Sequence, residues 1–249
     1  MEAKNKKKKI DSKKAFGTAA AVLAVIALGL AFFRFFSVPS APEPGEVLLT
    51  ACGSLSCVYH GEGYAFVVLA PSGGDAVSEV SAITRNVRRA DVCVLTSCDE
   101  AGLNLLSVYL GNGEAKTVLV PRGTPNDFIK SLSEKHPATS VQKMPYRKAV
   151  VFGDLLLYDV GKKDAMSLSV THGKEKILHA AAPSSGRYAA AFVKGTAILE
   201  SRFFAESCFT DDASLDYSAS KVETVAILSV SGNEEFYLTG EGSAARLGR

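Results

Sequence analysis

Short apolar runs separated by glycine-rich and polar turns recur along most of the 249-residue chain. Runs such as Tyr64–Ala70 have the length of a strand and are rich in β-branched and aromatic residues, which indicates buried strands. Between Ala76 and Arg89 the apolar residues instead recur every three or four positions, which predicts an amphipathic helix. Strands come first, strand–helix alternation follows and strands then return, so we expect an α/β (α+β) domain whose sheets are covered by helices.

The central stretch of the domain is Asp91–Thr96, a buried strand that is predicted to run into a loop and then a helix at Leu103–Leu110. A further helix is expected after Thr124, a good N-cap, and it ends at His136, where a cation favours the helix dipole. The other predicted elements are strands at Glu46–Ala51, Ser56–Tyr59, Lys116–Val120, Lys148–Phe152, Leu155–Val160, Ser167–Thr171, Lys174–Ala180, Thr224–Val230 and Glu235–Thr239, and helical or loop passages at Ser185–Val193 and Ala205–Lys221.

The N-terminal region differs from the rest of the chain. Residues 1–14 hold seven lysines against two acids, and residues 15–33 carry no charge. At about 1.5 Å per residue, a helix over that segment just crosses a bilayer core of about 30 Å. We expect a basic cytoplasmic tail at 1–14, a single-pass transmembrane helix at 15–36, a linker at 37–45 and an extracellular domain at 46–249, anchored in the cell membrane. The alternative is a cleaved signal peptide, whose apolar region is usually shorter, about 7–15 residues.

Charge and cysteine content narrow the functions open to the domain. The formal charge of +2 leaves −4 on the chain from Ser37 onward once the basic N-terminal segment is set aside. The domain therefore lacks the basic composition of a nucleic-acid-binding protein. The spacing of the five cysteines matches no zinc finger or ribbon, and we expect most of them to be buried thiols. A Cys52–Cys57 or Cys93–Cys98 disulfide remains open if the domain lies in an oxidising compartment.

Four short motifs follow one another through the domain. They are Ala51–Ser56 (ACGSLS), Val67–Gly74 (VVLAPSGG), Thr96–Gly102 (TSCDEAG) and Tyr237–Gly242 (YLTGEG). Their order and spacing over Glu46–Arg249 resemble the metallo-β-lactamase fold, and in particular the C-terminal domain of ComEC-type DNA-uptake (competence) proteins. The resemblance implies an αββα sandwich, preceded here by the predicted transmembrane helix.

In that family, the loop after the central strand carries the His and Asp side chains that hold the catalytic metals. Here Ser97 stands at the first His position, Asp99 at an Asp position, Ala101 at the later Asp and Gly102 at the closing His. A catalytic zinc needs about three protein ligands, and one carboxylate does not supply them. The resemblance therefore implies the fold, whereas these residues predict a degenerate site with no metal and no cofactor.

An alternative is a hydrolase, phosphodiesterase-like or nuclease-like, with a site rebuilt around Asp99 that takes zinc or manganese. Its further candidates are Glu100, His60 and His179, and His179 lies near the position of the family's metal-bridging aspartate. Asp99 and Glu100 are also explained by capping of the helix that follows them.

The leading hypothesis is a membrane-anchored pseudoenzyme that binds or scaffolds an unidentified protein partner outside the membrane. Its link to DNA uptake, and to nucleic acid as a partner, rests on the resemblance alone. The acidic domain counts against direct DNA contact, because phosphate contacts need a basic surface. A third hypothesis is a secreted α/β interaction domain that is unrelated to that family.

Overall fold

The computed structural model describes residues 45–52, 55–180, 183, 185–228, 233–240 and 246–247. The predicted tail at 1–14, the predicted membrane helix at 15–36 and the predicted linker up to residue 44 lie outside these ranges. Within the described ranges, no helix has the length and hydrophobicity needed to cross a membrane. Pro42–Arg249 forms one compact unit.

The described residues form fifteen strands and three helices. In chain order they are β1 (Val47–Cys52), β2 (Cys57–Gly61), β3 (Tyr64–Leu69), α1 (Ala76–Asn86), β4 (Arg89–Leu95), α2 (Glu100–Asn112), β5 (Glu114–Val120), α3 (Asn126–Lys135), β6 (Ser140–Lys143), β7 (Ala149–Phe152), β8 (Leu155–Asp159), β9 (Ser167–His172), β10 (Glu175–Ala180), β11 (Gly186–Val193), β12 (Phe203–Thr210), β13 (Lys221–Ile227), β14 (Asn233–Leu238) and β15 (Arg246–Leu247).

The first sheet has the strand order β15-β14-β1-β2-β3-β4-β5-β6. Its β3, β4, β5 and β6 run parallel, and the other pairs in it are antiparallel. The central strand β4 is buried on both faces from Val92 to Leu95, as expected of a parallel strand covered on both sides. Edge strand β6 escapes prediction because its sequence, SVQK, is polar and largely exposed.

The second sheet has the order β13-β12-β11-β10-β9-β8-β7. Here β10 to β13 run parallel, while β7, β8, β9 and β10 pair antiparallel. The helical or loop assignments of Ser185–Val193 and Ala205–Lys221 are wrong over β11 and β12, which are strands. The alanines in the run Tyr188–Val193 suggested a helix, but small side chains also suit a strand that packs tightly on both faces.

The two sheets pack face to face over one apolar layer, which contains large side chains from both, including Tyr59, Phe66, Phe192 and Phe236. The three helices cover the outer face of the first sheet. The outer face of the second sheet is instead closed by connecting segments that bring in Ala197, Leu199 and Leu215. The expected two-sheet sandwich is thus present, but in the described part of the chain the outer layer over the second sheet is not helical, unlike the αββα expectation. Other predicted strands and helices lie within three residues of the observed bounds.

Candidate functional site

The carboxyl ends of parallel strands from both sheets meet at one edge of the domain, the position at which ligands bind in open α/β sheets. A cavity there has a volume of about 10 Å³, roughly the space of a single water molecule. Its lining includes Ala70, Ser97, Asp99, Ala180, Phe192 and Lys194.

The loop after β4 is shaped by helix capping and close packing. Asp99 is the N-cap of α2, and its Oδ1 accepts a 2.8 Å hydrogen bond from the backbone N–H of Gly102. A Cβ added to Gly102 would lie 2.1 Å from the carbonyl oxygen of Ser97, so the turn closes against a residue without a side chain. Ala101 is exposed on the first turn of the helix. The capping role predicted for Asp99 is confirmed.

Ser97 and Cys98 form the bend that leads into this cap. Ser97 is buried, and its Oγ accepts a hydrogen bond from the backbone N–H of Asp99 at 3.4 Å. Burial and the neighbouring Asp164 carboxylate raise the pKa of the Cys98 thiol. The thiolate is the nucleophilic form, so this environment weakens Cys98 as a nucleophile near neutral pH. All five cysteines are free, and the other four are buried, as predicted for most of them.

His179 lies in the layer between the two sheets, with none of its surface exposed. The hydroxyl of Tyr59 lies 2.5 Å from its Nε2, and its ring stacks on Phe192 with the centroids 5.0 Å apart. Burial lowers the pKa of His179 from 6.5 to about 3, and burial raises the pKa of Tyr59. The neutral imidazole therefore accepts a hydrogen bond at Nε2 from the hydroxyl of Tyr59. Its buried Nδ1 has no hydrogen-bond partner in the described part of the chain.

None of the other candidates makes a hydrogen bond or a ring contact with His179 in the described part of the chain. His60 pairs with Ala65 at the start of β3, whereas Asp99 follows the end of the neighbouring parallel strand β4. The four residue-to-residue steps from Ala65 to Leu69 separate these two edges by about 13 Å of strand. Burial lowers the pKa of His60. Glu100 is exposed in the first turn of α2. Of the four candidates, only the sequence neighbours Asp99 and Glu100 lie together.

A buried carboxyl group that the sequence analysis missed lies beside the same edge. Glu79 is 2% exposed, and its Oε1 accepts a short hydrogen bond from the Ser72 hydroxyl. Its Oε2 has no hydrogen-bond partner among the described residues. Burial raises the pKa of Glu79, and the Asp211 carboxylate adds to that rise. The sequence contained a signal for this buried acid, because Glu79 is the neighbour of Val80, which belongs to the apolar stripe of α1.

The residues at the position where the metallo-β-lactamase family holds its metals do not fit a metal centre. Asp99 is committed to the helix cap, Ala101 and Gly102 offer no ligand atom in their side chains, and Ser97 is a poor ligand. Within the described ranges, no group of three His, Cys, Asp or Glu side chains is arranged to hold an ion.

No protein-family model matches the chain, and no curated protein does. Solved structures do match. The metallo-β-lactamase fold protein YhfI from Bacillus subtilis is 10% identical, and the alignment covers 76% of this chain and 99% of that protein with a TM-score of 0.52. Igni18, a metallo hydrolase from Ignicoccus hospitalis, is 11% identical over 77% of this chain and 98% of its own, with a TM-score of 0.48. A diphosphatase from the PhnP family is 10% identical over 78% and 98%, with a TM-score of 0.47.

The similarity to YhfI shows the fold alone, which is the metallo-β-lactamase fold. This agrees with the fold that the motif order implied.

Proposed function

We propose that this chain is a non-catalytic binding or scaffold module built on the metallo-β-lactamase fold, in which the residues of the metal-binding loop have been replaced. The proposal includes a membrane anchor at 15–36 and an extracytoplasmic position for the domain. An association with competence or DNA-uptake machinery is its most specific form, and the motif order alone supports that part.

The observation that carries the proposal is that Asp99 serves as a helix cap. It is the only acid at a ligand position of the loop, and its carboxylate caps α2 from the protein surface. The adjoining cavity has a volume of about 10 Å³, roughly the space of one water molecule. These two features favour binding elsewhere on the surface over chemistry at this edge.

The alternative is a hydrolase with a rebuilt site. Glu79 is the feature that favours it, because a buried carboxyl group with a raised pKa is often found at active sites. A general acid must reach its substrate, however, and Glu79 is 2% exposed and hydrogen bonded to Ser72. The binding module is therefore the stronger hypothesis.

Metal content and hydrolysis can be measured on the same preparation. The full chain, purified in mild detergent with zinc and manganese supplied, is analysed for bound metal and for cleavage of bis(p-nitrophenyl) phosphate. We expect substoichiometric metal and no cleavage above the rate with free metal.

Asp99→Ala removes a helix cap as well as the single candidate ligand, so it needs a matched control. Asp75→Ala removes the N-cap of α1, whose side chain accepts from the backbone N–H groups of Val77 and Ser78. Near-stoichiometric metal in the wild type and Asp75→Ala that disappears in Asp99→Ala would overturn the proposal and establish a metal site at this loop.

A further inference from the structure

Three connecting segments beside the Asp99 turn carry a cluster of cations around an exposed tyrosine. The cluster, here called the basic-aromatic patch, consists of Arg122, Tyr146, Arg147, Lys162 and Lys163. The guanidinium of Arg122 lies 3.8 Å from the centroid of the Tyr146 ring, and that of Arg147 lies 5.0 Å from it. Cation–π contacts of this kind hold an arginine in one orientation.

The backbone of the patch is fixed from below by a buried acid. The Oδ1 of Asp159 accepts hydrogen bonds from the backbone N–H groups of Gly161 at 2.8 Å and Ser167 at 3.0 Å. Its carbonyl oxygen accepts from the N–H of Arg147 at 3.1 Å. The loop that carries Lys162 and Lys163 and the turn that carries Arg147 are therefore tied to the same residue.

A second set of bonds joins this loop to the segment that carries Arg122. Arg122 Nη2 donates to the carbonyl oxygen of Gly161 at 3.2 Å, and the N–H of Gly123 donates to that of Lys163 at 2.7 Å. The N–H of Cys98 donates to the carbonyl oxygen of Asp164 at 3.0 Å, so the patch is continuous with the Asp99 turn. The patch is a rigid part of the fold.

Arg147 adopts φ = +52°, and it is the only non-glycine residue with positive φ in the described part of the chain. The left-handed conformation costs about 1–2 kcal/mol for a residue with a Cβ. Backbone strain of this kind clusters at functional sites, where the surrounding structure holds it in place. Here the hydrogen bond from the Arg147 N–H to the Asp159 carbonyl oxygen helps to hold this conformation, in which the guanidinium lies beside Tyr146.

The charges of the patch are not neutralised by the surrounding protein. None of its four cations takes part in a salt bridge within the described ranges. An open groove of about 880 Å³ contains Arg122, Tyr146, Lys162 and Lys163, and Glu200 is the one acid in its lining. The carboxylate of Asp164, which follows Lys163, turns instead toward Gly123 and the Cys98 thiol.

The groove also exposes apolar surface. Ile198 is 70% exposed at its far side, and Tyr146 is 39% exposed between its two arginines. Arginine and tyrosine are the residue types that most often anchor protein–protein interfaces. The groove thus combines cations with the apolar contacts that a peptide side chain can cover.

We propose that the basic-aromatic patch binds an acidic segment of a partner protein, with carboxylates on the arginines and lysines and an apolar side chain against Ile198. A carboxylate accepts charge-assisted hydrogen bonds from a guanidinium, and the stacking of Arg122 on Tyr146 fixes the plane of that group. Single-stranded nucleic acid fits less well, because its bases stack on free aromatic faces and the Tyr146 ring is already covered by Arg122. The proposal rests on the binding role proposed above and names the chemistry of its partner.

Selection of peptides tests this inference without a known partner. A random dodecapeptide display library is selected on the full chain in mild detergent, with EDTA present throughout. We expect enriched peptides to carry several Asp or Glu residues around a Leu, Ile or Phe. Their synthetic forms should bind with a Kd that rises with salt, because salt screens exposed charges.

The Arg122→Ala/Lys162→Ala variant should weaken binding of these peptides by about tenfold or more, since each tenfold corresponds to about 1.4 kcal/mol. The matched control is Arg88→Ala/Lys135→Ala, which removes two cations from a separate groove at the opposite edge of the sheet. It should leave the Kd unchanged within about twofold. Charge-reversed peptides, with Lys for each Glu, should not bind.

Three outcomes would overturn the inference. They are enriched peptides without acidic residues, equal binding to the wild type and the Arg122→Ala/Lys162→Ala variant, and tighter binding of fluorescent oligothymidine than of the enriched peptides. Because EDTA is present, a metal found in the separate metal analysis would overturn the non-catalytic proposal without changing this result. A negative outcome of the peptide selection would likewise not change the result of the metal analysis.

Discussion

Acid should destabilise the domain through one buried imidazole. His179 is fully buried, and burial lowers its pKa from 6.5 to about 3. In the unfolded chain the same side chain takes up a proton near its ordinary pKa of about 6.5. Since the folded pKa lies below the unfolded one, folding is favoured above pH 6.5, and this contribution is lost as the pH falls toward 3.

The size of the effect follows from these two pKa values. Between about pH 7 and pH 5 the unfolded chain comes to bind nearly one proton more than the folded domain at this site, which removes about 2 kcal/mol from the free energy of unfolding. At about pH 3 the loss reaches about 4 kcal/mol. Single domains are stable by about 5–15 kcal/mol, so this one group has a large share in acid unfolding.

Urea unfolding of the full chain at several pH values measures this contribution. Far-UV circular dichroism is the suitable probe, because the chain contains no tryptophan. The comparison is between the wild type and His179→Leu, since other titrating groups contribute equally to both. We expect the stability difference between them to change by about 2 kcal/mol between about pH 7 and pH 5, with the wild type losing more.

A second variant separates the titration from the hydrogen bond. His179→Leu leaves the buried Tyr59 hydroxyl without its partner, at a cost of about 1–3 kcal/mol. Adding Tyr59→Phe should recover most of that loss without restoring the acid sensitivity. A stability difference between the wild type and His179→Leu that stays constant within about 0.5 kcal/mol over this pH range would refute the reasoning. It would mean that the pKa of His179 in the folded domain lies close to its value in the unfolded chain.

Three further predictions concern Glu79, Asp159 and Arg147. Because the pKa of Glu79 is raised in the folded domain, its stabilising contribution is present below its ordinary pKa of 4.5 and is lost as the pH rises. In urea unfolding, the free energy of unfolding of Glu79→Gln should therefore increase relative to that of the wild type from acid to neutral pH. Asp159→Ala removes the carboxylate that accepts from the N–H groups of Gly161 and Ser167 and should lower the free energy of unfolding by about 2–4 kcal/mol in the same assay, whereas Asp159→Asn, which keeps an acceptor, should lower it by less than half of that. Arg147→Gly should be about 1 kcal/mol more stable than Arg147→Ala, because only glycine adopts positive φ without strain, and both variants should bind the acidic peptides more weakly.

Local patterns in the sequence were sufficient to predict most of the sheets. Runs such as Tyr64–Leu69 and Val92–Leu95 are apolar and end at turn residues, so the positions of their strands follow from the sequence pattern. The Asp99 cap follows equally well, since it depends on residues three positions apart. Strand β11 was missed because its alanines and the tyrosine beside them suit either a helix or a tightly packed strand, and the neighbours that decide between the two are on β10 and β12.

The candidate sites were harder to predict because they depend on pairings between distant residues. His179 was expected near a metal site, yet its position is set by Tyr59, which lies 120 residues away in the chain. The basic-aromatic patch is assembled from loops that carry Arg122, Tyr146 and Lys162, and no local motif links them. Summing charge over the whole acidic domain also hid this concentration of cations.

The geometry of the Asp99 turn shows why adding metal ligands one at a time would not create a metal site here. Gly102 stands where the family places a histidine, and a Cβ at this position would meet the Ser97 carbonyl oxygen at 2.1 Å. The same turn is anchored to the loop of the basic-aromatic patch, through the hydrogen bond from Cys98 to Asp164 and that from Met166 to Thr96. Opening the turn to admit a ligand side chain would therefore also displace the loop that carries Lys162 and Lys163. The backbone of the Asp99 turn and the backbone that carries Lys162 and Lys163 are therefore one hydrogen-bonded structure.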